Sequence, residues 1–291
     1  MRSKLFVPGD RPELFEKAYR SEADAISLDL EDAVAPARKA QARENVRQWL
    51  AQWRQMPERH AGKITIVRIN APGSDWFEQD LDAMVQPGVD MINLPKPTDA
   101  ASVAAIAETI RKLERARGLT TPVRLLLNIE TPAALRNAAS LACAAPCVAG
   151  LQLGLADLFE PNGIDRSERL ALAQVLLQVR LAASEAGVDA YDGAFADIRN
   201  PAGFEEEAAL ARRLGFAGKT CIHPSQVALA NAAFQPTTAQ IESAQKVLLA
   251  AQQAQLQGNG VYVVDGKMVD APFVARAQAT VTLAQRLGLL T

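Results

Sequence analysis

Short runs rich in aliphatic and β-branched residues alternate along the chain with longer stretches whose apolar residues recur at a helical period. The short runs are KLFVP (4–8), AISLDL (25–30), ITIVRI (64–69), MINLP (91–95), VRLLLNI (123–129), AGLQLG (149–154), DAYDGA (189–194) and GKTCIH (218–223). Helices are predicted between them, near 12–21, 38–54, 76–86, 99–117, 132–142, 167–186, 203–214 and 238–256. Pro12 and Pro132 stand at first-turn positions, where a missing N–H removes no helical bond, and Ser102 and Ser167 fall near helix starts. Gly118, Gly187 and Gly215 follow helical stretches, where a left-handed terminal residue needs no Cβ.

Eight strands, each followed by a helix, predict an α/β fold of the (β/α)8 TIM-barrel type. The strands show no clean polar alternation, as expected of a parallel sheet covered on both faces. The competing fold, an open doubly wound sheet, would be favoured by a glycine-rich phosphate loop after the first strand. LFVPGDRPE contains neither GxGxxG nor GxxxxGK[ST]. Residues 1–258 are assigned to the barrel. Residues 259–291 read as a hairpin, VYVV–DG–KMV, followed by a helix, a C-terminal extension apolar enough to need a partner in its own barrel or in a neighbouring subunit.

Composition narrows the field. Of 291 residues 49% are hydrophobic and the formal net charge is −2, with no Lys/Arg run, so neither nucleic acid nor another polyanion is an expected partner. MRSKLFVPGDRPE reaches Pro-Gly-Asp after three apolar residues and reads neither as a signal peptide nor as a membrane span. The sparse Cys143, Cys147 and Cys221 fit buried, reduced thiols in a cytoplasmic protein.

In such barrels chemistry gathers at the C-terminal ends of the strands. Those ends carry Asp29, Glu31 and Asp32 (strand 2), Arg68 and Asn70 (strand 3), Lys96 (strand 4), Glu130 (strand 5), Gly154, Leu155 and Asp157 (strand 6), Asp192 (strand 7) and His223 (strand 8). A strand-end aspartate is often only a helix cap, and that reading applies to Asp32, Asp157 and Asp192. Acids gathered round one mouth nevertheless repel each other unless a cation sits among them. His60 lies in a polar connection and His223 stands alone; with no HxH, HExxH or CxxC, zinc is not expected. Carboxylates with open positions suit Mg2+, and Glu130 and Asp157 are the best-placed pair. Arg68 is positioned to hold a substrate carboxylate or a developing oxyanion, or else to form an ion pair with the strand-2 acids. The Gly154 and Leu155 N–H groups are further candidate donors to substrate, since glycine allows close approach. Lys96 raises the possibility of a Schiff base, but neighbouring acids would keep it protonated, so an electrostatic role is preferred.

RSKLFVPGDRPE, ADAISLDLEDAV, IVRINAPGSDWFEQDL, INLPK, NIETPAAL, LGLADL, GAFADI, GFAGKTCIHPSQV and DGKMVDAPFVARAQ run in order through nearly the whole chain. With them the sequence resembles the HpcH/HpaI aldolase and citrate lyase β-subunit superfamily, in the citrate-lyase-β-like branch that includes malyl-CoA lyases. The resemblance implies a Mg2+-dependent carbon–carbon lyase, assembled as a homotrimer or larger homo-oligomer. It would act on a β-hydroxyacyl thioester of coenzyme A or of an acyl carrier, releasing a 2-oxo acid. It implies Glu130 and Asp157 as metal ligands, Arg68 as the oxo-acid binder, Glu31 and Asp32 as holders of metal-bound waters, and Asp270 as an acid/base entering a neighbouring subunit's site. A thioester hydrolase using the same site, and a non-catalytic subunit binding a carrier protein or a 2-oxo acid, are the alternatives. Coenzyme A phosphates would need basic residues; Arg2, Lys4, Arg11 and Lys17 lie near the first strand, each readable as solvated surface.

Overall fold

The computed structural model describes residues 1–53, 62–256 and 261–290; His60 lies outside the described residues. Eight parallel strands close into a barrel in sequence order: β1 (Ser3–Pro8), β2 (Ala25–Asp29), β3 (Ile64–Arg68), β4 (Met91–Leu94), β5 (Arg124–Ile129), β6 (Val148–Leu153), β7 (Asp189–Asp192) and β8 (Gly218–Cys221). Pairing of Lys4 with Thr220 and Leu5 with Cys221 joins the first strand to the last. The (β/α)8 expectation holds.

Alternation along each strand sorts its side chains between two environments. Ile26, Leu28, Val67, Ile92, Leu125, Leu127, Leu151 and Leu153 belong to the large apolar shell shared with the helices. Burying one such side chain fully is worth about 1.5–3 kcal/mol, so the shell dominates the barrel's stability. The opposite parity holds a small apolar cluster of Ala25, Ile66, Met91, Leu126 and Tyr191, and beyond it mostly polar residues.

Helix ends explain how the chain turns from strand to helix. In α4 (Ala100–Arg117), Asp99 accepts the Ser102 N–H at 2.8 Å, and Gly118 closes the other end at φ 61°. In α5 (Pro132–Arg136), Thr131 Oγ1 accepts the Ala134 N–H at 3.1 Å and Pro132 occupies the first turn. The eighth barrel helix is α10 (Ser225–Phe234), which buries Val227, Ala230 and Phe234 on one face.

The chain forms two compact units, residues 1–234 and 235–291. The second contains α11 (Thr238–Leu256), the hairpin β9 (Tyr262–Val264) and β10 (Lys267–Val269), and α12 (Ala271–Arg286). The stretch 238–256, read from sequence as the eighth barrel helix, is therefore α11 of this unit. Asp265 and Gly266 turn the hairpin at φ 47° and 75°, the positive angles a two-residue turn between twisted strands requires. Ala244 of α11 packs with Ala277 and Val281 of α12.

Candidate active site

Strand register builds the site. Asp29, Arg68 and Asn93 are successive in-register partners on β2, β3 and β4, so their side chains share the barrel's inner face. Arg68 Nε donates to Asp29 Oδ1 at 2.7 Å and Nη2 to Asp29 Oδ2 at 2.6 Å, a two-pronged pair in which the carboxylate fixes the guanidinium plane. Its third nitrogen, Nη1, lies 2.9 Å from Glu31 Oε2 and 3.4 Å from Asp32 Oδ2. The Phe6 ring lies beneath the guanidinium, 4.7 Å from Cζ to centroid. Arg68 therefore is the ion pair with the strand-2 acids, and the nitrogen that Asp29 leaves over is shared between Glu31 and Asp32. Asp29 also accepts the N–H groups of Glu31 (2.9 Å) and Ala33 (3.2 Å), which folds the turn after β2 back over the site.

Glu130 is the single residue between the end of β5 and the cap of α5, which leaves its backbone little freedom. It is 2% exposed. Oε1 accepts the Lys96 N–H at 2.9 Å and Oε2 accepts Asn128 Nδ2 at 3.0 Å. Lys96 presents its N–H from a left-handed conformation, φ 48°, unusual for a residue with a side chain. Gly154 stands against the same carboxylate: a Cβ there would lie 2.5 Å from Glu130 Cβ and 2.6 Å from Oε2. The Gly154 N–H, expected to face a ligand, instead donates to Ile129 O at 3.0 Å. Its contribution is space.

The charges are uneasy with one another. Burial raises the Glu130 pKa and the nearby charge of Asp157 raises it further, against opposition from the Lys96 N–H, Arg68 and the Lys96 ammonium. Burial likewise pushes Glu31 up to about 7, although Arg68 pulls it down. Glu31 Oε2 has no hydrogen bond of good geometry despite its short distance to Arg68. Asp157, in the first turn of α7 (Leu155–Phe159), is more open. The Lys96 ammonium stands 3.2 Å from Glu31 and 4.0 Å from Asp157. Burial alone would lower its pKa; the charges of Glu31, Asp32 and Glu130 outweigh burial and raise it, which disfavours a neutral amine for Schiff-base chemistry.

These oxygens fit a hard divalent cation. Mg2+ uses one or two carboxylates and keeps waters, and the Asp157 charge that raises the Glu130 pKa is what a cation between them would offset. Among the described residues no three His, Cys, Asp or Glu side chains are gathered as a complete ligand cage. A Mg2+ site completed by water and substrate needs none.

Other strand-end residues do different work. Asp192 and Lys219 pair at 2.6 Å, with Glu207 3.1 Å from the same ammonium. Asn70 braces its turn by donating to Leu30 O and to Asp80. His223 Nδ1 accepts the Ser225 N–H at 3.2 Å at the start of α10. Asp270 belongs to the second unit, just before α12; its side chain makes no cap and Oδ1 is buried without a hydrogen bond. Of the basic residues near β1, Arg2 pairs with Asp24 and Arg11 with Glu13. Lys4 corrects the surface reading: it is buried inside the barrel. Cys143 is exposed rather than buried.

Sequence reading passed over Asn93, Asn128 and Gln152 and gave Asp29 no separate role. Asn128, Gln152 and Asp29 each lie two residues before a site position, Glu130, Gly154 or Glu31, and a polar residue at that spacing on a barrel strand was the available signal.

A barrel mouth with paired carboxylates beside a clamped arginine defines a class of metal-assisted enzyme sites. Residues 2–224 match the family model described as HpcH/HpaI aldolase/citrate lyase, and the chain belongs to that family. It is 37% identical over 290 residues to citrate lyase subunit beta of Escherichia coli K12, covering 99% of this chain and 94% of that protein. It is 36% identical over 288 residues to (3S)-malyl-CoA thioesterase of Cereibacter sphaeroides, covering 99% and 95%. Among solved structures it is similar to protein CitE from Mycobacterium tuberculosis in complex with magnesium, acetoacetate and coenzyme A. That likeness has a TM-score of 0.75 and 33% identity, over 98% of this chain and 100% of that one.

Proposed function

We propose that this chain is a Mg2+-dependent carbon–carbon lyase. It cleaves, or in reverse forms, a β-hydroxyacyl thioester of the malyl-CoA, citramalyl-CoA or citryl type, yielding a 2-oxo acid and an acyl thioester. The observation that carries the reading is the buried Glu130 carboxylate, crowded by the charge of Asp157, in the same mouth as Arg68 and with the Lys96 backbone and ammonium reaching Glu130 and Asp157. The magnesium and coenzyme A bound by the M. tuberculosis relative support the same ligands here.

Glu130 and Asp157 hold the ion, with Glu31 and Asp32 orienting its waters. Bound there, Mg2+ supplies a Lewis acid for substrate oxygens. Arg68 binds the oxo-acid portion through Nη1, the edge that Asp29 leaves unclaimed. As the Asp270 carboxylate, delivered by a neighbouring subunit, takes the proton of the substrate hydroxyl, the O–H electron pair becomes the carbonyl of the 2-oxo acid. The carbon–carbon pair passes to the thioester as an enolate, and Arg68 offsets charge on the departing oxo acid. Asp270 then gives that proton to the enolate carbon. Its carboxylate is not spent on capping α12, which suits that task. The Leu155 N–H is a further donor to substrate.

The protein is read as a cytoplasmic homotrimer or larger homo-oligomer, its three free cysteines fitting a reducing compartment. Among the described residues no helix is long and apolar enough to cross a membrane. The catalytic mouth is taken to belong to the 1–234 barrel unit, with the 259–291 extension forming the hairpin and last helix of the 235–291 unit.

The likeness to a malyl-CoA thioesterase favours a second reading, hydrolysis at the same site. Product analysis after incubation with Mg2+ and malyl-, citramalyl- and citryl-CoA separates them. A lyase releases a 2-oxo acid and a shorter acyl thioester; a hydrolase releases the intact hydroxy acid and free coenzyme A. Binding without either product would make the chain a non-catalytic subunit.

A further inference from the structure

Below the mouth the barrel interior carries a polar layer that the reaction just described does not use. Lys4 of β1 is 2% exposed, and its ammonium donates to Asn93 Oδ1 at 3.2 Å and to Gln152 Oε1. Asn93 Nδ2 donates to Asn128 Oδ1 at 2.7 Å and to Leu126 O at 3.0 Å. Asn128 Nδ2 in turn donates to Glu130 Oε2 at 3.0 Å. A continuous chain thus runs from a lysine on β1, through β4 and β5, to a carboxylate at the mouth.

Chemistry fixes its direction at both ends. An ammonium only donates, so the Asn93 atom facing Lys4 is the oxygen; the Leu126 carbonyl only accepts, so the other Asn93 atom is the nitrogen. Asn128 must then offer its oxygen to Asn93 and its nitrogen to Glu130. Each amide hands on the polarity it receives, and bonds in such a series strengthen one another in a low-dielectric interior. Burial pushes the Lys4 ammonium well below the usual lysine range and the Arg68 charge pushes the same way, while Asp29 and Glu130 pull it back. An apolar residue would fill this space at lower desolvation cost, so stability alone is a poor account of a lysine here.

We propose that Lys4 is a positioning residue for the metal site: through Asn93 and Asn128 it holds the Glu130 carboxylate in the orientation that presents its remaining lone pairs to Mg2+. The inference rests on the reading that Glu130 is a metal ligand. Side chains that orient ligands from behind change metal affinity about 10–100-fold when removed.

The test is calorimetric titration of Mg2+ into wild type, E130A, K4M, N128L and the K4M/N128L double variant, each with its melting temperature measured. Wild type that binds no Mg2+, or E130A that binds as wild type does, overturns the metal reading and this inference with it. With that control passed, K4M and N128L are each expected to weaken Mg2+ binding about 10–100-fold, and the double variant to bind no more weakly than N128L alone. A folded K4M with wild-type affinity overturns the proposal, and so do independent effects that multiply in the double variant. A purely structural lysine would lower the melting temperature and leave Mg2+ affinity alone. If K4M does not fold, N93L cuts the chain with Lys4 in place; unchanged affinity in N93L is then the overturning result, and weakened affinity the expected one.

Discussion

Two buried ion clusters at strand ends differ in what they leave over. Inside the barrel, Asp29 takes two nitrogens of Arg68 and leaves the third facing Glu31, Asp32 and the mouth. At β7 and β8, Lys219 is fully buried between Asp192 and Glu207, and Arg166 covers Glu207 with a second two-pronged pair. The Phe204 ring of the helix Pro201–Arg213 lies 5.4 Å from the Lys219 ammonium. Both clusters place a carboxylate on a cation beside a strand terminus. Strand parity separates them: Tyr191 belongs with the interior residues, so its neighbour Asp192 points outward to the helices. A strand-end acid is a candidate for chemistry only on the inward parity, where its cation partner reaches other residues of the site.

The largest expected effect is at Arg68. Arg68→Ala removes the mouth-facing donor and leaves Asp29 buried with its charge unpaired. The expected outcome is a kcat loss of about 10²–10³-fold together with about 3–5 kcal/mol of stability, read by steady-state kinetics and urea unfolding. Lys219→Met sharpens the contrast. It strands Asp192 and should cost a similar 3–5 kcal/mol, roughly as for any broken buried pair, while kcat per folded molecule stays at the wild-type value. A kcat loss there matching that of Arg68→Ala would erase the distinction between the clusters.

Gly154→Ala should weaken Mg2+ binding on the order of 10-fold by pushing the Glu130 carboxylate aside, with little change in the far-UV spectrum. The smallest effect concerns pH. The folded-state pKa of Glu31 is about 7 against an ordinary 4.5, so between those values the folded protein keeps a proton that the unfolded chain has released. Stability of the metal-free protein should therefore fall as pH rises from 4.5 to 7 and level off above, and Glu31→Gln should flatten that slope in chelator-containing denaturation curves.

The barrel was legible because its signal is repeated: most strands are short apolar runs, and helices such as α4 and α5 carry a cap residue at their start. The boundary of the barrel was less so. The eighth helix, SQVALANAAF, is short and nearly apolar throughout, whereas the stretch that forms α11 has the length and period of a helix and drew the assignment instead. At the site, Glu130 stood out because a carboxylate ends an apolar strand. Lys4, Asn93 and Gln152 did not, because their meaning lies across strands. Lys4 meets Gln152 148 residues away, and only the closed barrel brings the two together. Arg68 was legible as a charge at a strand end, but its clamp by Asp29 depends on the β2–β3 register.

The proposed role of Glu130, at the end of LLLNIE, is to hold Mg2+ for an oxo acid. Titration of oxaloacetate or glyoxylate into wild type and Glu130→Ala, each with and without Mg2+, tests it most directly. Oxo-acid binding is expected to require Mg2+ and to be lost in the variant. Binding that is indifferent to both the ion and the substitution would contradict it and make Glu130 a structural carboxylate.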